Sequence, residues 1–301
     1  MAQDMPKKQA VLLCACVLLS ALLIVGFGAT KVSGWSNDSY SGDPAHPGYG
    51  THDWIAEHAL NWLPPQEKQF FTENLVWYLY GTELPDNKNT PGGVGDAAAK
   101  HHVYFYANGT VQNNASAVRA GEEYENAKQA FVTGNFSAAA MHLGMVAHYI
   151  GDLAVFGHVM GSATAWGTEI HHSSYESYVL SRTNNYTDDF NDFLVFDENL
   201  SVTSAYNATV TLAYDTTFDG TGNLNCTWMD QHYDWSDSTF KNRCGESLNL
   251  AVNLIADVLH SFYTEAIIPE FPTWIILPLL IVITLLVVAM KKKSLFIKGL
   301  T

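Results

Sequence analysis

The chain has 301 residues, 48% of them apolar and only 15% charged, which rules out the charge-rich disordered class and allows one or two domains with a sizeable core. Its formal net charge is −15, and seven of its 15 basic residues sit at the two ends, so Trp35–Glu270 holds eight basic and 29 acidic residues. A body this acidic repels polyanions, which excludes a stable nucleic-acid partner held by a basic patch.

In chain order, Met1–Lys8 is a short basic start and Ala10–Ala29 is almost wholly apolar. Val32-Ser33-Gly34 then has the small-residue character of a signal-peptidase site, so residues 1–34 are expected to be a signal peptide removed before Trp35. The run is also long enough for an uncleaved anchor. Helical periodicity follows in Asp53–Leu63, Gln66–Tyr80, Ser116–Val132, Ser137–Ile150, His172–Arg182 and Glu246–Glu265, with apolar residues three and four apart. Gly, Pro and Asn clusters such as Asn87–Gly95 and Asp219–Asn225 separate these segments. Asn184–Asn242 has less clear periodicity and reads as a mixed segment with one helix near Ser204–Tyr214. Residues 35–268 are therefore expected to form a single, mainly helical (all-α) domain.

The far end mirrors the start. Phe271–Met290 is a second apolar run of spanning length, followed at once by Lys291-Lys292-Lys293, which marks the cytoplasmic side. The expected division is a transmembrane or sorting segment over 269–290 and a basic cytoplasmic tail over 291–301, with the acidic domain outside. Eight Asn-x-Ser/Thr sequons, at Asn37, Asn108, Asn114, Asn135, Asn185, Asn199, Asn207 and Asn225, all lie in the expected outer domain, which therefore reads as a glycoprotein. Pro269-Glu270-Phe271-Pro272 before the span resembles archaeal carboxy-terminal sorting tails, in which the span is removed and replaced by a lipid; a plain single-span anchor is preferred. Cys14 and Cys16 fall in the signal segment. Cys226 and Cys244 are left to pair, and such a disulfide would stabilise the domain by about 3 kcal/mol. No CxxC motif supports a thiolate zinc site.

Ten of the twelve histidines lie between His46 and His172. His52-Asp53-Trp54 opens the first helix, Asp86 lies in a Pro-Asp-Asn turn, and His101-His102 precede a Val-Tyr-Phe-Tyr run that reads as a strand. His148 and Asp152 are four apart, as are His172 and Glu176, so each pair shares one helix face. His158 lies between them. Imidazole and carboxylate together suit zinc. A single pair at this spacing is usually a surface hydrogen bond; the ordered set is what points to metal. His46, His58, His142, His232 and His260 lack such partners and read as ordinary histidines.

This ordered set resembles the zinc-dependent phospholipase C family, related to the P1-type nucleases, over Trp35 to about Arg182. The resemblance implies that signal cleavage frees the Trp35 amino group and carbonyl to bind one zinc together with His52. Asp152 would bridge that ion to a second, held also by Asp86, one of the tandem histidines and His148. His158, His172 and Glu176 would hold a third. The family's Asp-Pro after the middle histidine is absent, which leaves His101 and His102 unseparated; His102, beside the strand-like run, is preferred. Val155-Phe156-Gly157 replaces the family's Gln-Pro-x before His158. Asp38 falls where bacterial members carry an acid that contacts a cationic headgroup.

The activity implied is hydrolysis of a phospholipid's glycerol–phosphate bond by metal-activated water, with Asp86 and Asp152 as the catalytic residues. Products would be a lipid alcohol and a phosphorylated headgroup. The alternatives are a P1/S1-type nuclease or phosphomonoesterase, and a non-catalytic surface zinc-binding protein. The long step from Trp35 to His52, and Glu rather than Asp after His172, favour the phospholipase branch.

Overall fold

Residues 48–183, 189–220, 222–267, 278, 280–284 and 286 are described by a computed structural model. Met1–Ser33 lies outside the described residues. So do Trp35, Asp38, Asn37 and Asn185.

The expected periodicities become helices with small shifts at their ends. Helix α1 runs Thr51–Ala59. It starts where Asp53, in the first turn, accepts the backbone N–H of Gly50 at 3.0 Å, meeting one of the donors a helix start leaves over. The segment expected as one helix from Gln66 to Tyr80 is two, α2 (Pro65–Glu73) and α3 (Leu75–Glu83). The break is at Asn74, with φ −120° and ψ 22°. Its side-chain amide donates to the Phe70 carbonyl at 2.9 Å and competes with the helical ladder.

A two-stranded antiparallel ribbon, β1 (Tyr104–Phe105) with β2 (Val111–Asn113), follows the tandem histidines. Then come the two long helices α4 (Ala115–Val132) and α5 (Phe136–Gly151), and, after an irregular stretch, α6 (His172–Thr183). Beyond them lie α7 (Ala205–Phe218), the short α8 (Cys226–Gln231), which the periodicity did not predict, and α9 (Ser238–Phe262). Helix α9 starts earlier than the expected Glu246, with Asp237 accepting the Thr239 N–H at 2.8 Å as its cap. A π turn over Tyr263–Ile267 extends it. The described residues are thus mainly helical, as expected.

Helix α5 is the central element, buried from Leu143 to Gly151. It packs chiefly against α4 and α3. Two glycines allow the α3 contact: a Cβ on Gly81 would lie 2.0 Å from the Met141 carbonyl oxygen, and one on Gly144 would lie 2.0 Å from that of Tyr78. The two backbones touch there, which brings the carboxy-terminal end of α3 against His148.

Helix α9 carries a polar stripe at four-residue spacing. Asn249, Asn253, Asp257 and Ser261 accept the backbone N–H groups of Val195, Asp197, Ser201 and Thr203. An extended segment without a strand partner thereby has its donors satisfied by one helix face.

The expected disulfide is not formed. Cys226 and Cys244 are buried free thiols in α8 and α9. Cys244 Sγ instead accepts the Tyr175 hydroxyl at 3.0 Å, and burial pushes both thiols up to about 12. No helix among the described residues is long and apolar enough to cross a membrane. The run expected to span, 271–290, lies mostly outside the described residues; its few described positions are helical and exposed.

Candidate metal centre

Six segments converge on one buried cluster. Helix α1 brings His52, the turn after α3 brings Asp86, and the segment before β1 brings His101. The end of α5 brings His148 and Asp152, while the following turn and the start of α6 bring His158, His172 and Glu176. His52, His148, Asp152, His158, His172 and Glu176 are all buried. So many buried ionisable groups are costly unless they serve one another or a shared cation.

Three groups emerge, each with ligand atoms close enough to share one ion: His52, His148 and Asp152; Asp86, His101 and His148; and His158, His172 and Glu176. Asp152 lies at the junction of the first two. Its Oδ1 is 3.3 Å from His52 Nε2, and its Oδ2 is 2.8 Å from His101 Nδ1 and 3.2 Å from His148 Nε2. Asp86 Oδ1 stands 3.5 Å from His101 Nε2 and 3.8 Å from His148 Nε2. In the third group Glu176 Oε1 is 3.3 Å from His158 Nε2 and 2.9 Å from His172 Nε2.

Of the tandem pair, His101 faces Asp86, His148 and Asp152. The preference for His102 is corrected here. His102 Nδ1 instead lies 2.7 Å from the Tyr104 hydroxyl, and its ring packs 4.9 Å from that of His158. His101 closes a short 3-10 turn over Ala98–Lys100, with φ −98° and ψ 6°, and its ring, not that of His102, enters the Asp86 group.

Outer contacts orient the ligands. His148 Nδ1 donates to the Thr82 carbonyl at 2.7 Å, and His158 Nδ1 donates to the His101 carbonyl at 2.9 Å. Both leave Nε2 free toward the cluster, as a histidine ligand requires. The Thr82 hydroxyl donates to Asp53 at 2.9 Å, tying this contact to the start of α1. Gly157 has its own role: a Cβ there would lie 2.4 Å from the His172 ring. The sequence reading gave no role to Thr82 and named Gly157 only within a departure from the family pattern. Thr82 meets His148 through its backbone carbonyl, which leaves no residue-type signal.

The charges are strongly coupled. Burial lowers the affinity of His148 for a proton, but Asp152 and Asp86 outweigh it and hold the ring up to about 9. His172, likewise opposed by burial, is pulled up to about 10 by Glu169 and Glu176. Burial and the neighbouring His148 push His52 down to about 4. Asp152 stays well below the usual carboxylate range because His148, His158 and His101 outweigh its burial.

The donor set fits a metal. Both nitrogens of His52, His101 Nε2, Asp152 Oδ1 and His172 Nδ1 are buried without a hydrogen bond. Each such atom costs about 1–3 kcal/mol; His52 Nε2, His101 Nε2 and Asp152 Oδ1 lie within the candidate metal groups, where a cation would satisfy them. Nitrogen and carboxylate donors without thiolate match zinc.

The family model for zinc-dependent phospholipase C matches residues 51–212, more than half of the chain. The chain belongs to this family. The matched stretch contains all eight described ligand candidates, from His52 to Glu176. Among solved structures, the alpha toxin of Clostridium absonum is similar at 17% identity with a TM-score of 0.48, over 75% of this chain and 66% of the toxin. The Clostridium perfringens alpha-toxin from avian strain SWCP is similar at 15% identity with a TM-score of 0.48, over 77% and 66%. The chain thus spans 66% of the length of either toxin. No curated protein matches it.

Proposed function

We propose that the protein is a zinc-dependent phospholipase C. It hydrolyses the glycerol–phosphate bond of a phospholipid and releases a lipid alcohol and a phosphorylated headgroup. The observation that carries this reading is Asp152, fully buried, with one carboxylate oxygen toward His52 and the other toward His101 and His148. A carboxylate shared in this way is suited to a pair of metals acting on one phosphodiester.

When bound, zinc neutralises the anionic oxygens of a phosphodiester and lowers the pKa of water. The remaining work falls to the chain. His52, Asp86, His101, His148 and Asp152 would hold the metal pair, together with the Trp35 amino group and carbonyl that the family resemblance implies. Asp86 is the more exposed carboxylate, 10% against 0% for Asp152, so its Oδ1 accepts the proton of the attacking water. His158, His172 and Glu176 would hold the third ion, which would stabilise the leaving alkoxide.

The same reading places the domain at the cell surface. Signal cleavage before Trp35 supplies the free amino group, and the segment after residue 268 tethers the enzyme to the membrane, raising the effective concentration of its substrate. The six described sequons support this placement, since none of their asparagines is buried.

The deciding experiment uses protein processed to Trp35. Bound metal is counted, and hydrolysis of a phospholipid and of single-stranded DNA is followed before and after chelation. About three zinc ions and chelator-sensitive lipid cleavage are expected. Cleavage of DNA alone would move the protein to the nuclease branch. Metal with neither activity would favour a surface zinc-binding protein, and a chain that takes up no metal would overturn the reading.

A further inference from the structure

His172 lacks the outer backbone partner that His148 and His158 have. His148 and His158 each use Nδ1–H on a backbone carbonyl and keep Nε2 inward. His172 also turns Nε2 to Glu176, at 2.9 Å, but its Nδ1 is buried without a hydrogen bond. The acceptor beside that nitrogen is the Glu169 carboxylate, with Oε1 at 3.4 Å. Glu169 and Glu176 therefore address opposite nitrogens of one ring.

The position of that ring is closely set. Gly157 lies against one side of it, where even a Cβ would overlap. The loop that carries Glu169 is tied down at the next two residues. The buried Asp230 carboxylate accepts the N–H groups of Ile170 and His171 at 3.0 and 2.9 Å, and the His171 ring stacks on Tyr233 at 4.5 Å. Neither Glu169 nor Asp230 has a part in the mechanism above.

A neutral imidazole carries one proton. An imidazole that ligates through Nε2 must keep that proton on Nδ1, so an acceptor beside Nδ1 favours the ligating form. A carboxylate is a stronger acceptor for Nδ1–H than a carbonyl.

We propose that Glu169 is a positioning residue: its carboxylate takes the Nδ1–H of His172, fixes the tautomer that frees Nε2, and thereby sets the metal affinity of the third group. This rests on the zinc-centre reading. Outer partners of histidine ligands are worth about 10–100-fold in metal affinity.

The test is zinc binding to the full chain, titrated against a chromophoric chelator, for wild type, Glu169→Gln, His172→Gln and the double variant. Glu169→Gln keeps the size of the side chain and is expected to weaken one zinc by about 10–100-fold while leaving the others unchanged. In the His172→Gln background the same substitution should change nothing further, because the two residues act as a unit. Thermal unfolding of the chelated proteins completes the test: Glu169→Gln removes one partner of the His172 charge and is expected to lower the midpoint slightly, while the affinities of the other zinc ions stay unchanged. Unchanged zinc affinity in Glu169→Gln overturns the inference alone. So does a further loss in the double variant, or a weakening shared by all the zinc ions in step with a lower melting temperature of the chelated protein. A wild-type chain that binds no zinc overturns the site reading and this inference together.

Discussion

The carboxylate of Asp152 approaches three imidazoles while fully buried, and the tandem histidines beside it divide into two roles. His101 faces Asp86, His148 and Asp152; His102 faces Tyr104 and the ring of His158. Substitution of the two therefore separates metal binding from packing. His101→Ala should release a metal ion and reduce turnover by more than about 100-fold, the upper end of what losing even an outer partner costs. His102→Ala should retain the full metal content. Metal analysis of the two purified variants checks this, and equal metal loss in both would contradict the assignment.

At the scale of elements, the contact of α3 with α5 places the Thr82 carbonyl under His148. Gly144 permits that contact because a side chain there would strike the Tyr78 carbonyl at 2.0 Å. Backbone cannot yield as a flexible side chain does, so Gly144→Ala must push the helices apart. Overpacking typically costs about 1–3 kcal/mol, and the His148–Thr82 hydrogen bond of 2.7 Å should lengthen with it. A lower denaturation midpoint together with weaker zinc binding is the expected result. The polar stripe of α9 makes a useful contrast. Asn253→Ala removes an acceptor for the Asp197 N–H and should cost about 1 kcal/mol without touching the metal centre.

For the whole molecule, the cluster stores protons as well as ligands. His148 and His172 are held up to about 9 and about 10, above the 6.5 of a free imidazole. Their charge therefore stabilises the chelated chain fully below about pH 6.5, and that contribution fades as pH rises through 9 and 10. Depressed groups act at the other end. His52, held down to about 4, and Asp152, held well below 3.8, withdraw stability as the chain is acidified. A histidine ligand must be neutral to bind zinc. Loading the chelated chain at pH 7 should therefore release roughly two protons, from His148 and His172. Calorimetry in buffers of different ionisation enthalpy measures the number, and a value near zero would contradict the coupling.

The division between what was legible in the sequence and what was not follows the range of the interactions. Helix α5 and the pairs His148/Asp152 and His172/Glu176 could be read directly, because a helix puts residues four apart on one face whatever surrounds it. The mainly helical class followed from the same periodicity, and the residue types and their order carried the family. Fine placement did not follow. The break at Asn74 depends on a side chain competing with its own backbone, and α8 is too short for periodicity to reveal. Two cysteines left over in an expected outer domain suggested a bridge, but packing keeps Cys244 against Tyr175 instead. Which tandem histidine joins Asp86, which carbonyl orients His148, and why position 157 is glycine depend on atoms brought together from distant parts of the chain. By itself the sequence determined the chemistry of the donors and their local spacing, since both are properties of residues and helices. The tertiary structure alone decided which donors meet and what holds them, because convergence through space leaves no trace in the spacing along the chain.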